Sequence, residues 1–207
     1  MALSFDAVHG LAAGELPDMA RMLAPFGDDQ LLCVRPSSED PDWGGPGAIL
    51  NIGMNDALLG TLSESIGSEA ATKLYLKFIQ SYSTHVARLD PDIFDDLDSD
   101  DADAVSDYLA AYEDEAEEPF PQALETQLIG VLRSMARAWN GTSARLLRQA
   151  KGAPADAGLG LVVQQMAFGV GRGPCGPGVL QLVGSDTGRP QRPARAAGRT
   201  QGRAAPE

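Results

Sequence analysis

Two stretches of this chain carry apolar residues at helical spacing, and short apolar runs bounded by Gly, Pro and acids lie around them. Across residues 68–86, Ala71, Leu74, Tyr75, Phe78, Ile79 and Tyr82 fall on one helical stripe. Across 121–139, Leu124, Leu128, Val131, Leu132, Met135 and Trp139 repeat the pattern, and 143–149 reads as a continuation or a second short helix. Runs at 31–34, 159–168 and 179–183 are too short for such helices and read as buried strands. Stripes and faces of this kind are buried by layering helices on a sheet. The expectation is an α+β domain with the three strands in one sheet. Residues 55–65 open with an Asn/Asp capping signal and carry Leu58, Leu59 and Leu62 at helical spacing. Residues 1–30 form a separate short helical segment, interrupted by Gly10, Gly14 and Pro17.

Charge narrows the partners. The net charge of −13 argues against nucleic-acid binding, which depends on clustered cations. Residues 90–118 hold fourteen acids and no Lys or Arg, and read as one or two solvated acidic helices. Lacking any glycine, that block does not fit a calcium-binding helix–loop–helix. Residues 189–207 contain five arginines and almost no large apolar side chain, a composition expected to stay disordered. No apolar run reaches membrane-spanning length and the start lacks a signal-peptide pattern, so a cytoplasmic location with no membrane partner is expected. Cys33, in an apolar run, reads as a small core residue, and Cys175 lies in a Gly/Pro loop.

The chemistry-bearing segment is 31–56, LLCVRPSSEDPDWGGPGAILNIGMND. An apolar strand delivers one cation, Arg35, ahead of a loop containing Gly44, Gly45 and Gly47. A guanidinium offers a planar fork of donors, and glycines let backbone N–H groups approach an anion, so the layout suits polyphosphate. An ion pair between Arg35 and an acid of residues 39–42 is the competing reading.

Residues 31–56 resemble the nucleotide-binding domain of the pyruvate, phosphate dikinase family. The resemblance continues through 55–60 and 74–80 and resumes at Glu118-Pro119-Phe120-Pro121, at Ala138-Trp139-Asn140 and at 163–169. It covers roughly residues 31–188, and several dispersed matches in order are more specific than any one motif. It implies an ATP-binding, partial ATP-grasp-like domain with a helical insertion, a phosphotransferase of the kinase class. Carried over by resemblance, Arg35 would grip a phosphate, and Gly44, with Gly45 and Gly47, would cover the phosphates. Gln164 and Met166 would line the adenine side, although Met166 serves equally well as ordinary core. These residues are expected on one concave face.

Departures from the family pattern bear on turnover. The aspartate of the family's MPGMMD loop falls on Gly47, an arginine position on Val183, and a magnesium carboxylate on Arg195. A cation there cannot ligate Mg²⁺. No lysine precedes Lys73, and neither His9 nor His85 lies in the context of a phosphoacceptor histidine. No catalytic residue is assigned. The expectation is a chain that holds adenine nucleotide weakly and turns nothing over alone. It would either work with separately encoded phosphohistidine- and pyruvate-binding domains or persist as a non-catalytic binding module or gene remnant.

Overall fold

The computed structural model describes residues 1–27, 30–167, 178–180, 182–183, 188–190 and 194–196. The fold is α+β, a small antiparallel sheet with a helical layer on one face. The sheet has the order β1-β4-β2-β3, with β1 at Ala2–Leu3, β2 at Leu32–Ser38, β3 at Ile49–Ile52 and β4 at Leu159–Gln165. The central pair is antiparallel in unbroken register from Leu32↔Gln165 to Ser38↔Leu159. Alternation along these strands puts Leu32, Val34, Leu161 and Val163 on one face, all fully buried.

That face is covered by α1 (Phe5–Ala13) and α6 (Leu124–Asn140), with α2 (Met19–Leu23) beside them in the chain. The stripe of α6 supplies Leu128, Val131, Leu132, Met135 and Trp139 to the core, as its spacing predicts. Next come α3 (Asp56–Ile66), capped by the Asn55 side chain on Leu58 N–H at 2.8 Å, and α4 (Ser68–Tyr82), which packs on β3 and α3. Past Tyr82 the helix widens into a π turn, Ser83–Ala87, and ends on Arg88 in the left-handed conformation. The acidic stretch forms a 3₁₀ turn, Pro91–Phe94, and α5 (Ala104–Ala116). Its apolar seam is used: Tyr108 and Tyr112 are buried, and Tyr108 stacks on Phe94 with ring centroids 4.9 Å apart. Several of its acids close local turns, Asp90 Oδ1 accepting from Asp92 N–H and Asp98 Oδ1 from Asp100 N–H.

The sequence expectations differ from the structure in several places. The α6 helix starts at Leu124, not at Pro121, because Pro121 and Gln122 are engaged in contacts described below. It breaks at Gly141, and of the two readings offered for 143–149 the second short helix is the one formed, α7 (Thr142–Ala150). Strand β4 ends at Gln165, and Phe168 lies outside the described residues, as does Cys175 with most of the glycine-rich turn after it. The strand expected at 179–183 is not in the main sheet. Gly178–Leu180 (β5) pairs antiparallel with Ala194–Ala196 (β6) in a second, two-stranded sheet. The free edges of β4 and β2 are taken by β1 and β3, two short strands that carry no alternation long enough to read. Residues 194–196 fall within the stretch expected to be disordered, yet they form a strand, since a backbone ladder needs no large side chain. Most of the rest of that stretch lies outside the described residues. Among the described residues no helix is long and apolar enough to cross a membrane.

Candidate functional site

The two central strands bring Arg35 and Gln164 to the sheet face opposite the helices. Arg35 stands across from Val162 and Cys33 from Gln164, so all four belong to one face, joined by Ala2 across from Val162. Arg35 and Gln164 are diagonal cross-strand neighbours, a relation that separates side-chain roots by roughly 7–8 Å. Both side chains are exposed. Cys33 between them is buried, and burial pushes its thiol up, while the Arg35 guanidinium beside it pulls the other way. The competing ion pair is not formed: no salt bridge joins Arg35 to an acid of residues 39–42, whereas Lys73 pairs with Glu69 and Asp100. Arg35 therefore lies beside the Cys33 thiol and presents, on an accessible face, a charge with no carboxylate partner among the described residues. Met166 follows the end of β4, its N–H donating to the Leu31 carbonyl at 2.8 Å, with its side chain half-buried against the core.

The glycine loop makes its contacts elsewhere. It connects β2 to β3 through a 3₁₀ turn, Pro41–Trp43, and leans on the helical layer. Gly45 has φ +158°, and a Cβ there would lie 3.3 Å from the Trp139 ring. A Cβ on Gly44, at φ +78°, would lie 3.7 Å from Lys151 Nζ, and that ammonium donates to the Asp42 carbonyl at 3.0 Å. Gly47 lines a cavity of about 120 Å³ with His85, Val131, Ser134 and Met135. Of the sequence-derived residues, Arg35 and Gln164 are thus brought together, whereas Gly44 and Gly45 neighbour Lys151 and Trp139, and Gly47 lines the cavity beside α6 and the π turn. Lys151 was missed, since a contact spanning more than a hundred positions leaves no local signal.

The C-terminal half of the 31–56 segment is locked in place by a polar clamp. Gln127, fully buried on the core stripe of α6, accepts from Gly53 N–H at 2.7 Å and donates to the carbonyls of Met54 at 3.0 Å and Pro121 at 2.7 Å. Gly53 sits at φ +105°, and a Cβ would lie 3.0 Å from the Gln30 carbonyl, so only glycine fits without displacement. Asn51, left-handed at φ 60°, donates to the Leu74 carbonyl. Asn55 donates to the Gln122 carbonyl, and the Gln122 amide bonds both Asp56 N–H and the Tyr75 hydroxyl, which itself donates to Asp56 at 2.8 Å. Beneath, Phe120 meets Tyr75, Phe78, Tyr82 and Tyr112 edge to face, with centroids 5.1–6.3 Å apart. Four of the dispersed segments that carry the family resemblance therefore meet here, or, at Trp139, directly under the glycine loop. The signal for Gln127 was present in the sequence as a polar residue on an apolar helical stripe.

No group of three or more His, Cys, Asp or Glu that could hold a metal occurs among the described residues. The donor set on the Arg35 face does not fit magnesium, and no chemistry is assigned through that ion.

No family model matches the chain. Among curated proteins it is 29% identical over 185 residues to a pyruvate, phosphate dikinase of Clostridium symbiosum, covering 79% of this chain and 21% of that protein. It is 30% identical over 165 residues to a pyruvate, phosphate dikinase of Rhizobium meliloti (strain 1021), covering 70% of this chain and 18% of that protein. The chain spans about a fifth of the length of these relatives. Matches of this extent make the chain a distant relative of the pyruvate, phosphate dikinases.

Proposed function

We propose that this chain is a nucleotide-binding module of the dikinase type, with a partial ATP-grasp-like arrangement, that holds ATP or AMP against the outer face of its sheet. The observation that carries the reading is the pairing, on one accessible face, of Arg35, which has no carboxylate partner among the described residues, with Gln164 in a chain related to the pyruvate, phosphate dikinases. In this reading Arg35 clamps a phosphate through its planar donor fork. Gln164 offers its amide to the adenine edge, whereas Met166, packed against the core, and Gly44, Gly45 and Gly47, leaning on the helical layer, would have to shift to join the ligand. Catalysis of phosphoryl transfer rests mainly on positioning and charge stabilisation. Arg35 and Gln164 supply positioning, and domains bearing a phosphohistidine and a pyruvate site are the partners the reading requires. Alone, the chain is proposed to retain nucleotide without pyruvate- or phosphate-dependent ATP consumption.

The test is calorimetric titration of the 207-residue chain with ATP, with and without magnesium. Saturable binding weakened about tenfold or more by Arg35→Ala is expected, the loss of one charge-assisted contact. Binding that Arg35→Ala leaves unchanged, or no binding at millimolar ATP, would overturn the reading and favour a module that has kept the fold but not the ligand.

A further inference from the structure

A second charged site lies away from Arg35, where α7 passes the start of α1. Arg148 is 6% exposed, and its guanidinium lies 3.6 Å from the centroid of the Trp139 ring. One of its N–H groups donates to the Trp139 carbonyl at 2.7 Å. Among the described residues no carboxylate lies within ion-pair distance of it. A guanidinium has five N–H donors, so this one retains most of its capacity. Burying a charge without a counter-ion is costly. The cation–π contact and one carbonyl offset only part of that.

Instead of an acid, the near charged neighbour of Arg148 is Arg145, three residues earlier on the same face of α7 and exposed. Desolvation and the Arg145 charge both pull the Arg148 guanidinium down from its ordinary value. The two arginines line one groove of about 540 Å³ with Trp139, Phe5, Asp6 and Asp156, and His9 is also on its wall. That volume is within the range of small-molecule sites. Neither Asp6 nor Asp156 forms an ion pair with the arginines, so these acids do not neutralise the two guanidinium charges by direct contact.

We propose that this groove binds a small phosphate monoester carrying hydroxyl groups. Its phosphoryl group lies between Arg145 and Arg148, and its hydroxyls donate to Asp6 and Asp156. Two guanidinium charges match a phosphoryl dianion, and Arg148 is already fixed in plane by Trp139, which lowers the ordering cost of a bidentate contact. The carboxylates would repel a bare anion and so select a ligand with donors at its other end. The site is separate from the Arg35 face and does not depend on the nucleotide reading.

The test follows the indole N–H resonance of Trp139 in the full chain, assigned with Trp139→Phe, during titration with glycerol 3-phosphate, inorganic phosphate and glycerol. Saturable shifts are expected with glycerol 3-phosphate, weaker ones with inorganic phosphate and none with glycerol. Arg145→Gln should weaken glycerol 3-phosphate binding at least tenfold. Arg145 is exposed and outside the core, so this variant keeps the test intact even if Arg148→Lys fails to fold. No saturable shift at tens of millimolar glycerol 3-phosphate, or an affinity unchanged in Arg145→Gln, would overturn the proposal.

Discussion

The two halves of segment 31–56 are treated in opposite ways by the fold. Residues 51–56 are enclosed: Asn51, Gly53, Asn55 and Asp56 all bond to partners on α4, α6 or the 120–122 turn, and Ile52 and Met54 are fully buried. Arg35, sixteen residues before Asn51, is exposed on the open sheet face and pairs with no described carboxylate. Similarity to the dikinases in residues 51–56 is therefore accounted for by the scaffold, because those side chains are consumed in holding β3 to the helices. Arg35 makes no comparable bond to the helices, which is the reason for proposing it as a ligand contact. A contiguous stretch of resemblance can thus contain two kinds of residue with different physical purposes.

Alkaline titration should separate the halves most strongly. All four tyrosines lie on the helical side, and burial raises the pKa of each, Tyr75 and Tyr82 furthest. The folded state then keeps hydroxyl protons that the unfolded chain gives up above a pH of about 10. Stability is complete below that value and falls as pH rises past it. Tyrosinate absorbance should appear in one cooperative step coincident with unfolding by circular dichroism. Gradual titration ahead of unfolding would mean that the clamp is looser than described.

Phe120→Ala removes the ring shared by four aromatic neighbours and should cost about 3–5 kcal/mol in urea unfolding. Gln127→Leu keeps the volume but strands one N–H and two carbonyls, each worth about 1–3 kcal/mol when buried and unpaired. A loss of about 3 kcal/mol is expected, because the site can relax. A change under 1 kcal/mol would show that packing, not the polar clamp, fixes residues 51–56.

At the other extreme, Arg35→Ala should shift stability by no more than about 0.5 kcal/mol, the usual range for surface positions. The same denaturation series reads this directly. A large loss would move Arg35 to the scaffold side of the comparison and remove the reason for assigning it to a ligand.

Helical period alone located the cores of α4 and α6, and the Asn55 cap located the start of α3, because these signals are written within a few turns of chain. The paired strands β2 and β4 were legible for the same reason, as was Arg35 at the point where burial stops. The route of the sheet was not. Ala2–Leu3 and Ile49–Ile52 are too short to show alternation, and their places on β4 and β2 follow from pairing with residues far along the chain. Residues 178–180 pair with 194–196 and not with the main sheet, a choice of partner that no local pattern records. The same limit applies to the candidate sites. Residue types at Arg35, Gly44, Gly45, Gly47, Gln164 and Met166 could be read as polyphosphate chemistry through resemblance. Which of them share a face is a matter of strand register and of where a loop finds its packing partner. Lys151 beside Gly44, Gln127 under Gly53 and Arg148 on Trp139 are contacts that exist only after the helices have docked. The physical reason is that hydrogen bonds and charge pairs at long range depend on three-dimensional distance, whereas period and capping depend on the chain alone.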